Sequence, residues 1–126
     1  MAKNKFEIKE YFVNMTQNAE NDLNEIITFI SQNNPINALR IMDKIKERVY
    51  SLKHFPQKGS YVPELLARNI KDYRQVTESP WKIIYKIDGK IVNVLVIIDS
   101  RRNLQDILVN KLLGNIQDNG TQTVSE

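Results

Sequence analysis

The chain contains no cysteine, which removes disulfide frameworks, thiol nucleophiles and cysteine-ligated zinc together. Its single histidine, His54, rules out a histidine metal cluster. With no orienting partner in view, His54 reads as a loop or packing residue rather than a catalytic base. No apolar run approaches the roughly 20 residues of a membrane-spanning helix. The start, Met1-Ala2-Lys3-Asn4-Lys5, passes directly into charge alternating with apolar residues and lacks the apolar stretch of a signal peptide. These absences predict a soluble, cytoplasmic protein with neither metal nor organic cofactor.

What is present is enough for one core. A length of 126 residues and a hydrophobic content of 41% suit a single domain that needs no metal or disulfide to hold it. A net charge of +3, with pI near 9.1, permits contact with nucleic acid or an acidic protein and requires neither.

Residues 6–15, rich in Phe, Ile, Tyr and Val, read as a first strand, and Thr16 can cap a helix beginning just after it. Ala19, Leu23, Ile26, Ile27 and Ile30 recur at helical spacing, with Glu20, Asn21, Asp22, Asn24 and Glu25 on the wet side. Asn33-Asn34-Pro35 punctuates; Asn34 is a good N-cap, and Pro35 is tolerated in a first helical turn. A second helix runs to about Lys53, burying Ala38, Met42, Ile45, Val49 and Leu52 and exposing Arg40, Lys44, Lys46 and Arg48 as a solvated face. The short turn between the two predicts an antiparallel helical hairpin.

His54 to Ser60 reads as a loop, and Val62 to Ile70 as irregular or a short helical turn. The period then changes to two. Tyr73–Glu78, Trp81–Asp88 and Lys90–Asp99 form strands, with Asp88-Gly89 as a hairpin signal. Asn103 to Leu113 forms a closing helix through Leu104, Ile107, Leu108 and Leu112, and Gly114 stops it. Residues 1–114 thus form the domain, and the polar residues 115–126 read as a disordered tail. The fold class is α+β, β-α-α-β-β-β-(α), an antiparallel sheet covered on one face by the hairpin.

Alternation assigns sides. Trp81, Ile83, Tyr85 and Ile87 share one face, as do Val92, Val94, Val96 and Ile98; these apolar sets are expected under the helices. The other face would carry Lys82, Lys86, Asp99 and Arg101 around Ile84, Leu95 and Ile97, an open surface fit for docking. Lysines there fit a solvated face equally well. Arg74 at one strand start and Arg101-Arg102 at a strand end can grip phosphate, or pair with Asp72, Glu78 or Asp99 in a structural network.

An ordered set of short motifs then resembles the RelE/ParE superfamily of type II toxin–antitoxin systems, which includes plasmid stabilisation proteins. The set is Ala19-x-x-Asp22-Leu23-x-x-Ile26, Asn34-Pro35-x-x-Ala38, Phe55-Pro56-x-x-Gly59, Pro63-Glu64-Leu65, Tyr73-Arg74, Pro80-Trp81-Lys82-Ile83-Ile84-Tyr85 and Asp99-Ser100-Arg101-Arg102. It covers about residues 7–113. The resemblance implies a growth-inhibiting toxin silenced by a cognate antitoxin, as a homodimer or a toxin–antitoxin hetero-oligomer. RelE-like members cleave messenger RNA on the ribosome, whereas ParE-like members lack the nuclease residues and poison DNA gyrase. RelE-like nucleases place an arginine at the position of Lys82, basic residues near Arg74 and Arg101/Arg102, and a tyrosine or histidine near the C-terminus. Here Lys82 lacks the planar fork of arginine, and Asn103 to Glu126 holds neither tyrosine nor histidine. Many relatives have histidine where Asp99 stands. The expected phosphate- or target-binding residues are Arg74, Lys82, Lys86, Arg101 and Arg102. Arg74, Lys82, Arg101 and Arg102 would also be the cations of a ribonuclease, with Asp99 or Glu78 as base. Three readings stay open: a ParE-like gyrase poison, a RelE-like endoribonuclease, and a decayed toxin kept as an antitoxin-binding module.

Overall fold

The computed structural model of the chain describes residues 10–114. Strand β1 (Phe12–Met15) leads into helix α1 (Gln17–Ser31), and helix α2 (Pro35–Tyr50) folds back along it. Single residues set both helix starts. Thr16 accepts a hydrogen bond from the Ala19 amide at 3.2 Å, and Asn34 accepts one from the Asn37 amide at 3.0 Å with Pro35 in the first turn. Each cap stabilises its helix by about 1 kcal/mol. Two 3₁₀ turns, Ser51–Lys53 and Pro56–Lys58, lead to strand β2 (Ser60–Tyr61) and the short helix α3 (Pro63–Leu66). Strands β3 (Arg74–Glu78), β4 (Trp81–Asp88) and β5 (Ile91–Asp99) form the antiparallel meander, and helix α4 (Leu104–Leu108) continues as a π-helical turn over Val109–Gly114. Gly89 opens the two-residue turn between β4 and β5 with φ of +59°, a conformation that costs glycine little.

The sheet order is β1-β5-β4-β3-β2, with β1 parallel to β5. The α+β architecture with its helical hairpin is as read from the sequence. Of the expected strand 6–15, residues 10 and 11 are not strand: pairing with β5 covers Phe12–Met15, and Tyr11 instead donates its amide to the Lys53 carbonyl at 2.8 Å. Residues 6–9 and the tail at 115–126 lie outside the described residues. Part of the expected loop before Tyr61 is strand, since Ser60 pairs with Gln75 and Tyr61 with Arg74.

Two hydrophobic cores lie on opposite sides of the sheet. Ala19, Leu23, Ile45, Val49 and Leu52 of the hairpin side pack on Ile83, Tyr85, Val92, Val94 and Ile97. On the other side Leu104, Leu108 and Leu112, with Val62, Leu65 and Tyr73, pack on Ile84, Val96 and Ile98. Two expectations are corrected here. Strict alternation put Val92, Val94, Val96 and Ile98 on one face, but Ile84 lies opposite Val96 and Tyr85 opposite Val94. Leu95 is therefore the extra residue of a β-bulge, which reverses the phase of the strand beyond it. Nor is the second face an open docking surface around Ile84, Leu95 and Ile97. Ile84 is buried beneath the closing helix, and Ile97 is buried on the hairpin side.

Asp22, expected on the wet side of its helix, is also inside, at 7% exposure. Strand β1 ends at Met15, so the upper half of β5 has no strand neighbour on that side. Side chains one turn apart on α1 take its place. Asn18 Nδ2 donates to the Leu95 carbonyl at 2.7 Å, and Asp22 Oδ2 accepts from the Ile97 amide at 3.0 Å. Lys111 Nζ, from the closing helix, donates to Asp22 Oδ1 at 2.7 Å. The backbone groups at this edge are thus satisfied by side chains, as buried peptide groups require.

Candidate functional site

Sheet register sorts the five cations named from the sequence into two groups. Lys82 lies opposite Ile98, and Arg101 and Arg102 follow the end of β5, so all three stand at one end of the sheet. Arg74 lies opposite Tyr85, beside Lys86, toward the other end. Lys82 and Lys86, four residues apart on one strand, are separated by about 13 Å.

The faces divide the first group again. Lys82 shares the side of Ile84, and its Nζ lies 4.0 Å from Glu64 Oε2 of α3. Asp99 lies opposite Trp81, on the hairpin side. Arg101 is held to Asp99 by a fork of two contacts, Nε to Oδ1 at 2.9 Å and Nη2 to Oδ2 at 2.5 Å. That hydrogen bonding, above all, lowers the Asp99 pKa to about 2. Asp99 therefore stays ionised and is a poor proton acceptor near neutral pH, where a useful base needs a pKa close to the working pH. Glu78, the other candidate base, also lies on the hairpin side and faces Arg48 at 3.6 Å. The sheet stands between Lys82 and both carboxylates. Arg102 is exposed in the turn.

The second group straddles the sheet: Arg74, opposite Tyr85, takes the hairpin side, whereas Lys86, between Tyr85 and Ile87, takes the other. Arg74 Nη1 donates to the Gln57 carbonyl at 3.2 Å and the Gly59 carbonyl at 2.8 Å, and its guanidinium stacks on the Tyr61 ring at 4.6 Å. Arg74 and Lys86 share a shallow cleft of about 290 Å³ with Tyr61, Lys71, Asp72 and Ile87. Beneath it the Tyr85 hydroxyl donates to the Pro56 carbonyl at 2.5 Å. Burial pushes the Tyr85 pKa up, against a smaller opposing pull from Arg74, so the group acts as a neutral donor. Gly59 is needed for this close approach: a Cβ there would collide with Tyr85 Oη and stand 2.8 Å from the Gln75 carbonyl oxygen. The spacing Phe55-Pro56-x-x-Gly59 thus has a steric cause.

Sequence reasoning missed Glu64, Tyr61 and Lys71 as site residues. The run Lys71-Asp72-Tyr73-Arg74 at a strand start was a usable signal for Lys71. Nothing local announced Glu64, which meets Lys82 only through the docking of α3. Among the described residues no group of three His, Cys, Asp or Glu side chains is placed to hold a metal, and no helix is long and apolar enough to cross a membrane.

Residues 13–104 match the family described as the ParE toxin of the type II toxin–antitoxin system parDE. The chain belongs to the ParE toxin family. Solved structures carry the same fold. The chromosomal ParDE toxin–antitoxin system from P. aeruginosa superposes on this ParE-family chain with a TM-score of 0.61 and 23% identity, covering 72% of this chain and 97% of that one. The toxin–antitoxin complex RelBE2 from Mycobacterium tuberculosis gives a TM-score of 0.54 at 20% identity, covering 74% and 94% respectively. No curated protein matches the chain.

Proposed function

We propose that this ParE-family toxin stops growth by binding DNA gyrase rather than by cutting RNA, and that a cognate antitoxin silences it. One observation carries the choice of target. Cleaving RNA through its own 2′-hydroxyl needs a base, an acid and phosphate-binding cations around one bond, and a positioned acid or base is worth about 10²–10⁴-fold. Here Lys82 lies on one side of the sheet, while Asp99 and Glu78 are on the other and engaged by arginines. A binding toxin needs no such convergence. Arg102, exposed at the sheet end, and Lys82 are then target contacts.

Silencing is supported by the two similar structures, both described as toxin–antitoxin assemblies. It is also supported by unpartnered apolar surface at the closed end of the hairpin, where Phe29, Ile36 and Leu39 are 70%, 82% and 65% exposed. Exposed apolar clusters of this kind usually have a partner, and an antitoxin segment that orders on binding would cover them. The deciding experiment pairs two readouts on the purified chain. Gyrase supercoiling should be inhibited, and primer extension on translated messenger RNA should show no new 5′ ends. Supercoiling left untouched at high protein concentration would remove the gyrase reading, and new 5′ ends would restore the ribonuclease.

A further inference from the structure

On the hairpin side of the sheet a groove runs between α2 and the turn from β3 to β4. One hollow of about 240 Å³ is lined by Arg40, Ile41 and Lys44 of the helix and by Glu78, Pro80 and Trp81 beside the turn. A second, of about 210 Å³, is lined by Lys44, Glu47, Arg48 and Ser51 with Glu78. Lys44 and Glu78 line both, so the two hollows form one groove. Arg40, Lys44 and Arg48 stand at four-residue spacing, one above another along the helix. From Arg40 to Ser51 the backbone rises about 16 Å, the length of about five extended residues. The gyrase reading makes no use of this groove, since Lys82 lies on the other face of the sheet with Ile84.

The lining specifies the occupant. Ile41, Pro80 and Trp81 are only half-buried and leave apolar surface at one end. Beside them Arg40 donates to Asn37 of its own helix, and neither Arg40 nor Lys44 forms an ion pair among the described residues. At the other end Arg48 and Glu78 already face each other at 3.6 Å. Two cations without a counter-ion therefore border an apolar wall, and their field draws in a ligand that joins an acid to an apolar group. Tryptophan and arginine are also the residue types that most often anchor protein interfaces. We propose that this groove holds a short extended segment of a partner protein, with an acidic side chain on Arg40 and Lys44 and an aliphatic one against Ile41, Pro80 and Trp81. A nucleic-acid strand fits worse, because it carries a phosphate at every step and would set some of them against Glu47 and Glu78. A small amphipathic acid would leave the Arg48 half of the groove empty.

Trp81 is the only tryptophan in the chain, so its emission reports on the groove directly. The probe is the capped peptide acetyl-Ser-Glu-Leu-Asp-Ser-Ser-amide, titrated into the full chain. Binding should shift the Trp81 emission to the blue and saturate. Arg40→Ala with Lys44→Ala should raise Kd about fivefold or more, as the loss of two partly exposed ion pairs implies. Replacing the leucine of the peptide by serine should raise Kd about fivefold or more through lost apolar contact. Arg40→Glu with Lys44→Glu should transfer the preference to a peptide with lysines in place of its acids. Lys71→Ala with Lys90→Ala removes the same charge at the far end of the sheet and should leave Kd within about twofold. Thermal melting of each variant checks that it is folded. The proposal is overturned if the peptide leaves the Trp81 emission unchanged up to millimolar concentration, or if both double alanine variants weaken binding equally, which would mean a diffuse field. Displacement of the peptide by ten-nucleotide oligo(dT) at equal charge concentration would make the ligand a nucleic acid. Displacement by octanoate at equal concentration would make it a small amphipathic acid, and either result overturns the proposal.

Discussion

Replacing Asp22 by alanine perturbs three elements at once, and the structure says how the loss divides. The Ile97 amide loses its acceptor at 3.0 Å in a part of β5 that is buried. Leaving a buried N–H unsatisfied costs about 1–3 kcal/mol. Lys111 loses its partner at 2.7 Å, but its side chain is 33% exposed and can turn to water, so this part is worth no more than about 1 kcal/mol. Asn18 keeps its stronger bond, to the Leu95 carbonyl at 2.7 Å. The sum is about 1–4 kcal/mol. In a domain of this size that lowers Tm by roughly 4–16 °C, at about 4 °C per kcal/mol. Lys111→Ala leaves the Ile97–Asp22 bond standing and should cost about 1 kcal/mol. Urea denaturation of wild type and both variants, followed by circular dichroism, separates the two contributions. If Lys111→Ala destabilises as much as Asp22→Ala, the ion pair rather than the amide acceptor holds this corner and the reasoning is wrong.

Gly59→Ala should destabilise by about 1–3 kcal/mol through overpacking, because the new Cβ meets the Tyr85 hydroxyl and a backbone carbonyl; Gly59→Ala combined with Tyr85→Phe should recover part of the loss in a thermal melt. Leu108→Ala, at a site fully buried beneath the sheet, should cost about 2–5 kcal/mol and expose apolar surface to a hydrophobic dye. The depressed pKa of Asp99, about 2, against roughly 3.9 in an unfolded chain, means that its contribution to stability is present above pH 4 and is lost as pH falls toward 2. Arg101→Ala should raise the Asp99 pKa toward the ordinary carboxylate value in an NMR titration; an unchanged pKa would show that the arginine is not the cause.

The helical hairpin, its two caps and the three-stranded meander were legible because each rests on short-range pattern: capping residues, a 3.6 period, a 2.0 period and Asp88-Gly89. What alternation could not reveal was the extra residue at Leu95. A bulge leaves the composition of a strand untouched while reversing which side each later residue faces, so Val96, Ile97 and Ile98 were all assigned wrongly. Asp22 was misplaced for a related reason. Its helical position says polar, and only the early end of β1 creates the buried amide that it serves. Of the candidate site, Arg74 and Lys86 do share a cleft, but Lys82, Arg101 and Arg102 do not join them. Equal spacing in sequence says nothing of which side of a sheet, or which partner carboxylate, a long flexible cation will find.

The substitution of Asn18 and Asp22 for a sixth stretch of strand also limits how the sheet can grow. A row of free amides and carbonyls along β5 would be a template for another chain, yet over Leu95 to Ile97 those groups are already occupied by a helix lying alongside. Any extended segment arriving from outside, whether a second copy or a binding partner, finds that flank closed. The protein guards against edge-to-edge aggregation there with two side chains instead of with length.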